Sequence, residues 1–236
     1  MNQTNDTAAK ASFWQVIFSF FYLLIFPALL FFVSGDWGWV EGWIFSLIFC
    51  SLSYTTVIYL YVKDPALLNE RFGPPIQKSQ KSWDKVLLSS FLVGFLVWLA
   101  IMPLDAKRFS WSPEFPLWIK TAGTLLFTSA FIIVFGAMKE NTFAAPVVKM
   151  QKERGQKVIS TGLYGIVRHP MYSGGTLLFI GAPLLLGSVY GVLIGLLLII
   201  IIAVRSVGEE AMLRQELDGY DEYTKKVKWR LIPFVF

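Results

Sequence analysis

Charge is scarce in this chain. Asp, Glu, Lys and Arg make up only 16% of its 236 residues, against 55% hydrophobic and 17% aromatic, and the mean hydropathy is +0.56. A soluble globular domain carries roughly 25% charged residues, so that class is excluded. Cysteine and histidine are scarcer still, with Cys50 and His169 the sole representatives. One cysteine excludes an intramolecular disulfide, and Cys50, in the middle of an apolar stretch, reads as a small packing residue. A lone His beside a lone Cys supplies no His/Cys ligand set, so no metal site is expected. No glycine-rich fingerprint lies between a strand and a helix, which argues against a Rossmann dinucleotide domain. Internal repeats and low-complexity tracts are also absent.

What the chain has is long apolar runs. Charge-free stretches able to cross roughly 30 Å of hydrocarbon run at about 13–33, 42–62, 86–104 and 121–138. A fifth, 171–204, is too long for one helix, and Gly187-Ser188 near its middle reads as a tight turn, so it divides into two short spans. The sequence thus predicts an all-α, polytopic integral membrane protein of about six transmembrane helices. The first run, at about 21 residues, exceeds the roughly 7–15 of a signal-peptide core and reads as an uncleaved anchor. Its phenylalanines, Phe18, Phe20, Phe21, Phe26, Phe31 and Phe32, read as lipid-facing or packing residues.

Loop charge gives the same count. Lys10 precedes the first span; Lys63, Arg71, Lys78, Lys81 and Lys85 follow the second; six basic residues lie in 139–168 and six in 205–236. The intervening loops hold only Lys107, Arg108 and Lys120. By the positive-inside rule both termini are cytoplasmic, which requires an even number of spans. The net charge of +5 then reflects anionic lipid headgroups, not nucleic acid.

Two polar segments lie on the basic side. Segment 63–85, KDPALLNERFGPPIQKSQKSWDK, reads as a surface connector with one interfacial turn of helix. Segment 139–168 is long for so compact a chain, and its interleaved Val147, Val148, Val158, Ile159, Leu163 and Tyr164 predict order, hence function. It runs into TGLYGIVRHPMYSGG (161–175), where Arg168 and His169 precede Pro170. Proline suits the first turn of a helix, so the fifth span starts there. The sixth span returns antiparallel, bringing Arg205, Glu209 and Glu210 back to the same surface. Arg205 and Glu209, four apart, share a helix face if that helix continues beyond the apolar run. Ionisable residues gathered at a membrane boundary mark a candidate site. Each also has a structural reading: Arg168 as a positive-inside anchor, His169 as a cap, Arg205 with Glu209 as a solvated pair, Tyr172 as an aromatic-belt residue.

The stretch GLYGIVRHPMYSGG, the apolar hairpin, RSVGEE and the tail GYDEYTKKVKWRLIPF together resemble the isoprenylcysteine carboxyl methyltransferase family, especially its bacterial members. The resemblance spans about 141–236. It implies a site that takes S-adenosyl-L-methionine without a Rossmann domain and methylates a carboxylate on a lipophilic, isoprenylcysteine-like acceptor. By position it implies that Gln151, Gln156, Lys157, Val158, Ile159, Tyr164, His169, Pro170, Met171, Tyr172, Glu209 and Glu210 hold the cofactor, and that Arg205 holds the substrate carboxylate and is the catalytic residue. Gln156 stands where many relatives carry His. On this reading 1–138 form an N-terminal four-helix transmembrane region and 139–236 the methyltransferase core, in a bacterial inner membrane. The implied partners are a lipophilic or prenylated acceptor and membrane lipid. Three other readings stay open: phospholipid or small-amphiphile N- or S-methylation, an NADPH-dependent reductase of the sterol-reductase kind, and a non-enzymatic membrane scaffold or transporter. Nothing in the sequence sets an oligomeric state.

Overall fold

The computed structural model describes residues 12–236; Lys10, used in the charge argument, lies outside them. Among the described residues the chain is helical, and its only β-type pairing is an isolated parallel bridge between Val167 and Trp229. Eight α-helices follow in order: α1 (Phe13–Ser34), α2 (Val40–Lys63), α3 (Pro65–Arg71), α4 (Ser82–Pro103), α5 (Leu117–Glu140), α6 (Pro170–Leu186), α7 (Val189–Glu216) and α8 (Tyr220–Lys226). A π turn, Leu104–Arg108, continues α4, and 3-10 turns at Lys152–Arg154 and Gly162–Gly165 punctuate the long loop.

Local signals set the boundaries. Ser12 opens α1 with a capping box, its hydroxyl accepting from the Trp14 amide while the Gln15 side chain accepts from the Ser12 amide at 2.7 Å. Pro170 opens α6 at a position whose N–H would have no partner. Gly187, at φ 85°, closes α6 in a left-handed conformation that a side chain would strain, and Ser188 then caps α7. The tight turn at Gly187-Ser188 is therefore present, and α7 runs unbroken past Val204 to Glu216.

Five helices, α1, α2, α4 with its π turn, α5 and α7, are long and apolar enough to cross a membrane. Helix α6 has 17 residues, about 26 Å at a 1.5 Å rise, and falls short of that length. The protein is an all-α, polytopic integral membrane protein. Phe18, Phe20, Phe21 and Phe32 face outward, as a lipid-facing surface requires, whereas Phe31 is buried and Phe26 packs between Phe49 and Phe95.

Because lipid is as apolar as leucine, helices in a bilayer associate through close packing of small residues. Here α5 and α6 meet backbone to backbone. A Cβ at Gly181 would stand 2.4 Å from the Phe127 amide nitrogen, one at Gly123 2.4 Å from that of Leu185, and one at Gly174 2.9 Å from the Ala130 carbonyl oxygen. Gly195 of α7 approaches the Phe179 carbonyl just as closely. Beside this seam Phe91, Phe95 and Trp98 each pack edge to face on Phe179, and the Trp98 indole donates to the Gly191 carbonyl at 2.9 Å.

The two ends of the bundle differ. At one, buried Asp105 accepts from the hydroxyls of Ser112 (2.7 Å) and Ser188 (2.6 Å) and from the Tyr190 amide, tying the α6–α7 turn to the end of α4. Lys120 pairs there with Glu41 at 2.6 Å. The other end carries the basic loops, α3 and α8. Gly181→Val should therefore force α5 and α6 apart, costing about 1–3 kcal/mol. Thermal unfolding in detergent should show it as a clear fall in Tm, while Gly175→Ala, whose Cβ would meet nothing closer than Ile202 at 3.5 Å, should leave Tm unchanged.

Candidate functional site

At the basic end a cavity of about 350 Å³ opens between α4, α7, α8 and the 141–168 loop. Of the thirteen residues assigned by sequence, eleven line it: Gln151, Gln156, Lys157, Val158, Ile159, Tyr164, His169, Met171, Tyr172, Arg205 and Glu209. Pro170 and Glu210 do not. Proline acts by starting α6, and Glu210 faces a different set of partners.

Glu210 is a buried hub. Arg168 grips it with two bonds, Nε to Oε1 at 2.6 Å and Nη2 to Oε2 at 3.2 Å. Arg230 adds a third to Oε2 at 2.9 Å, and His169 Nε2 stands 3.3 Å from Oε1. The remaining Arg168 nitrogen donates to the Val227 and Lys228 carbonyls, both at 2.7 Å. The amides of Arg168 and His169 donate to the Trp229 and Arg230 carbonyls at 2.9 Å. The RHP loop is thus sewn to α7 and to the C-terminal tail, with both oxygens of the Glu210 carboxylate taken up.

Glu209, the next residue, turns to the cavity and is the one carboxylate among the described residues lining it. The Tyr172 hydroxyl donates to its Oε2 at 2.7 Å, and His169 Nδ1 lies 3.8 Å from the same oxygen. The Tyr172 ring stacks on His169, 5.4 Å between centroids and 12° from parallel. The Arg205 guanidinium sits 5.8 Å above the Tyr172 ring.

Arg205 does not pair with its neighbour four residues on. It reaches across to fully buried Asp84 of α4, Nε to Oδ1 at 2.6 Å and Nη2 to Oδ2 at 3.2 Å, and gives a further bond to the Pro146 carbonyl. Gln80 and the Val148 amide complete the Asp84 carboxylate at 2.8 and 2.9 Å. The two-pronged donor set expected to grip a substrate carboxylate is therefore committed within the protein, leaving Arg205 only Nη1 without a partner.

The loop itself is ordered, as its interleaved apolar residues predicted. Gln151, almost fully buried, donates to the Phe143 carbonyl at 2.8 Å, and its amide donates to the Gln156 side chain at 2.8 Å. The two glutamines shape the loop, and the Gln156 side-chain nitrogen is left without a partner among the described residues. The Tyr223 hydroxyl of α8 donates to the Tyr164 carbonyl at 2.7 Å. Burial holds the phenols of Tyr220 and Tyr223 well above their usual range and pushes Tyr164 up to about 12, so these walls stay neutral at physiological pH.

Segment 63–85 is more than the connector read from sequence. It forms the two-turn helix α3, opened by Asp64, whose carboxylate accepts from the Leu67 amide at 3.0 Å, and by Pro65 at the first position. It delivers Arg71 to the cavity wall and Asp84 to Arg205. The available signals were the Asp-Pro pair before an amphipathic run and an isolated acid in the first turn of the third span. Asp84→Ala should cost about 3–5 kcal/mol by stranding a buried guanidinium. In a double-mutant cycle with Arg205→Ala, measured by thermal unfolding, the double variant should lose much less than the sum of the singles; simple additivity would mean that the two do not couple.

Comparison with known proteins agrees with the sequence resemblance. Residues 118–218, from α5 to just beyond α7, match the phospholipid methyltransferase family. No curated protein matches the chain. Four solved chains do; one is a eukaryotic intramembrane Ras methyltransferase, isoprenylcysteine carboxyl methyltransferase, at TM-score 0.48 and 18% identity over 94% of this chain and 86% of that one. The match covers the segment that carries the RHP loop, the apolar hairpin and the acidic pair.

Proposed function

We propose that the protein is an integral membrane, S-adenosyl-L-methionine-dependent methyltransferase whose cavity opens on the cytoplasmic face and whose acceptor is lipophilic, with a carboxylate as the receiving group. The observation that carries this is the convergence of eleven of the thirteen residues named by the sequence resemblance on a single cavity at the basic end. Its volume falls in the range of small-molecule sites, roughly 300–1,000 Å³.

The residues present fit the cofactor. Glu209 offers an oriented carboxylate to a ribose hydroxyl or an amine, with Tyr172 fixing its rotamer. Neutral aromatic faces, Tyr172, Tyr164 and Phe143, suit a cationic sulfonium, and Val158 and Ile159 give adenine an apolar wall. When bound, the cofactor supplies an electrophilic methyl group. The protein's part is then to hold two reactants in line and exclude water, which can contribute roughly 7–11 kcal/mol through effective molarity. A carboxylate acceptor is already ionised at neutral pH and asks for no base.

The family match favours a second acceptor, a phospholipid amine. An amine must lose a proton before attack, and His169, within 3.8 Å of Glu209, is placed to take it. Methylation assays with labelled cofactor separate the two, because a methyl ester is released by base and an N-methyl group is not. Base-labile label on an S-prenylated cysteine analogue supports the carboxylate reading; base-stable label on phosphatidylethanolamine vesicles replaces it.

Calorimetric titration tests the cofactor. Saturable binding of S-adenosylmethionine and S-adenosylhomocysteine is expected, with Glu209→Gln weakening it about 10- to 100-fold, the worth of a hydrogen bond to a charged group. Binding of NADPH in their place, or an undiminished affinity in Glu209→Gln, would remove this assignment.

A further inference from the structure

The cations around the cavity are not equivalent. Arg168 is held by Glu210, Arg205 by Asp84, and Lys149 by Glu70 at 2.8 Å. Lys157 is exposed to solvent. Arg71, at the end of α3, lines the cavity with no acidic partner among the described residues. Its one hydrogen bond there runs from Nη1 to the Ala144 carbonyl at 3.1 Å, leaving most of its five N–H donors unused. The adjacent acid, Glu70, is spent on Lys149, and the nearby Tyr164 phenol stays neutral. Burial lowers the Arg71 guanidinium to about 10, so it remains charged at neutral pH.

A half-buried guanidinium on a cavity wall with no acidic partner has donors to offer an anion. Helix α3 is fixed at both ends, by the Asp64 cap and the Glu70 pair, and a planar guanidinium on a fixed helix suits two oxygens of one anion. With Arg205 left only Nη1, Arg71 is the cavity guanidinium with the most free donors. We infer that Arg71 is the oxyanion subsite of this cavity, binding a carboxylate or phosphate of the ligand through its free donors. The inference rests on the methyltransferase reading for its sources of oxyanion: the amino-acid end of the cofactor, or the headgroup of the acceptor.

Arg71→Gln retains a donor for the Ala144 carbonyl and removes the charge; Arg71→Lys restores charge without the fork. Calorimetry would compare S-adenosylhomocysteine with 5′-methylthioadenosine, which lacks the amino acid, and dodecyl phosphate and dodecanoate with dodecanol. If the cofactor is the source, Arg71→Gln weakens S-adenosylhomocysteine at least tenfold, Arg71→Lys recovers part, and methylthioadenosine is unaffected. If the acceptor is the source, the dodecyl anions weaken by a similar factor while dodecanol and both adenosyl compounds hold. Unchanged binding of every anion overturns the inference, and so does an equal loss of charged and uncharged probes, which would assign Arg71 to holding the loop. Should the wild-type protein bind no adenosyl compound, the methyltransferase reading fails, and the dodecyl anions still decide Arg71 separately.

Discussion

The bidentate pair between Arg168 and Glu210 holds together the three segments that make the site. Both side chains are buried, Arg168 8% and Glu210 2% exposed, and neither charge is tolerable there without the other. Once paired, they fix the RHP loop against α7, and the spare guanidinium donors draw the tail carbonyls of Val227 and Lys228 onto the same point. Glu209, one residue earlier and about 100° round the helix, is thereby released to face the cavity. Two adjacent acids carry different duties because helical geometry points them at different surroundings.

The local features were legible in the sequence. Pro170 and Gly187-Ser188 mark the ends of α6 through fixed backbone preferences, and the charges bordering the apolar runs locate one functional end of the bundle. The family resemblance gathered residues that do line one cavity. Asp84 was not legible as the partner of Arg205, because the two stand 121 positions apart and Glu209 offered a nearer carboxylate on the same helix. Tertiary packing decided the choice: Asp84 is fully buried and already bonded by Gln80 and the Val148 amide, so it needs the cation more than half-exposed neighbours do. Arg71 was hidden similarly, since a polar Pro-rich segment reads as surface until α3 is seen folded beneath the 141–150 loop through the Arg71 bond to Ala144 and the Lys149 bridge to Glu70.

The cavity brings together opposed requirements. Its aromatic walls stay uncharged because burial keeps the phenols protonated, and its fixed charges are matched pairwise by acids outside the cavity lining. What remains exposed to a ligand is a small set: a carboxylate oriented by a tyrosine, the Arg71 guanidinium, Nη1 of Arg205, the Lys157 ammonium and aromatic faces. Selectivity in such a place comes from the few groups left unpaired, since the paired ones have nothing further to offer.

The glycine seam between α5 and α6 has a mechanical side. With backbone against backbone at Gly123, Gly174 and Gly181, there is no side-chain layer in which one helix can slide past the other. The long loop after α5 therefore joins two helices that are welded and not hinged. Any breathing that admits a ligand falls to the loop and α8, which are joined by the Tyr223 bond to the Tyr164 carbonyl and by the packing of Tyr220 and Tyr223 with Val148.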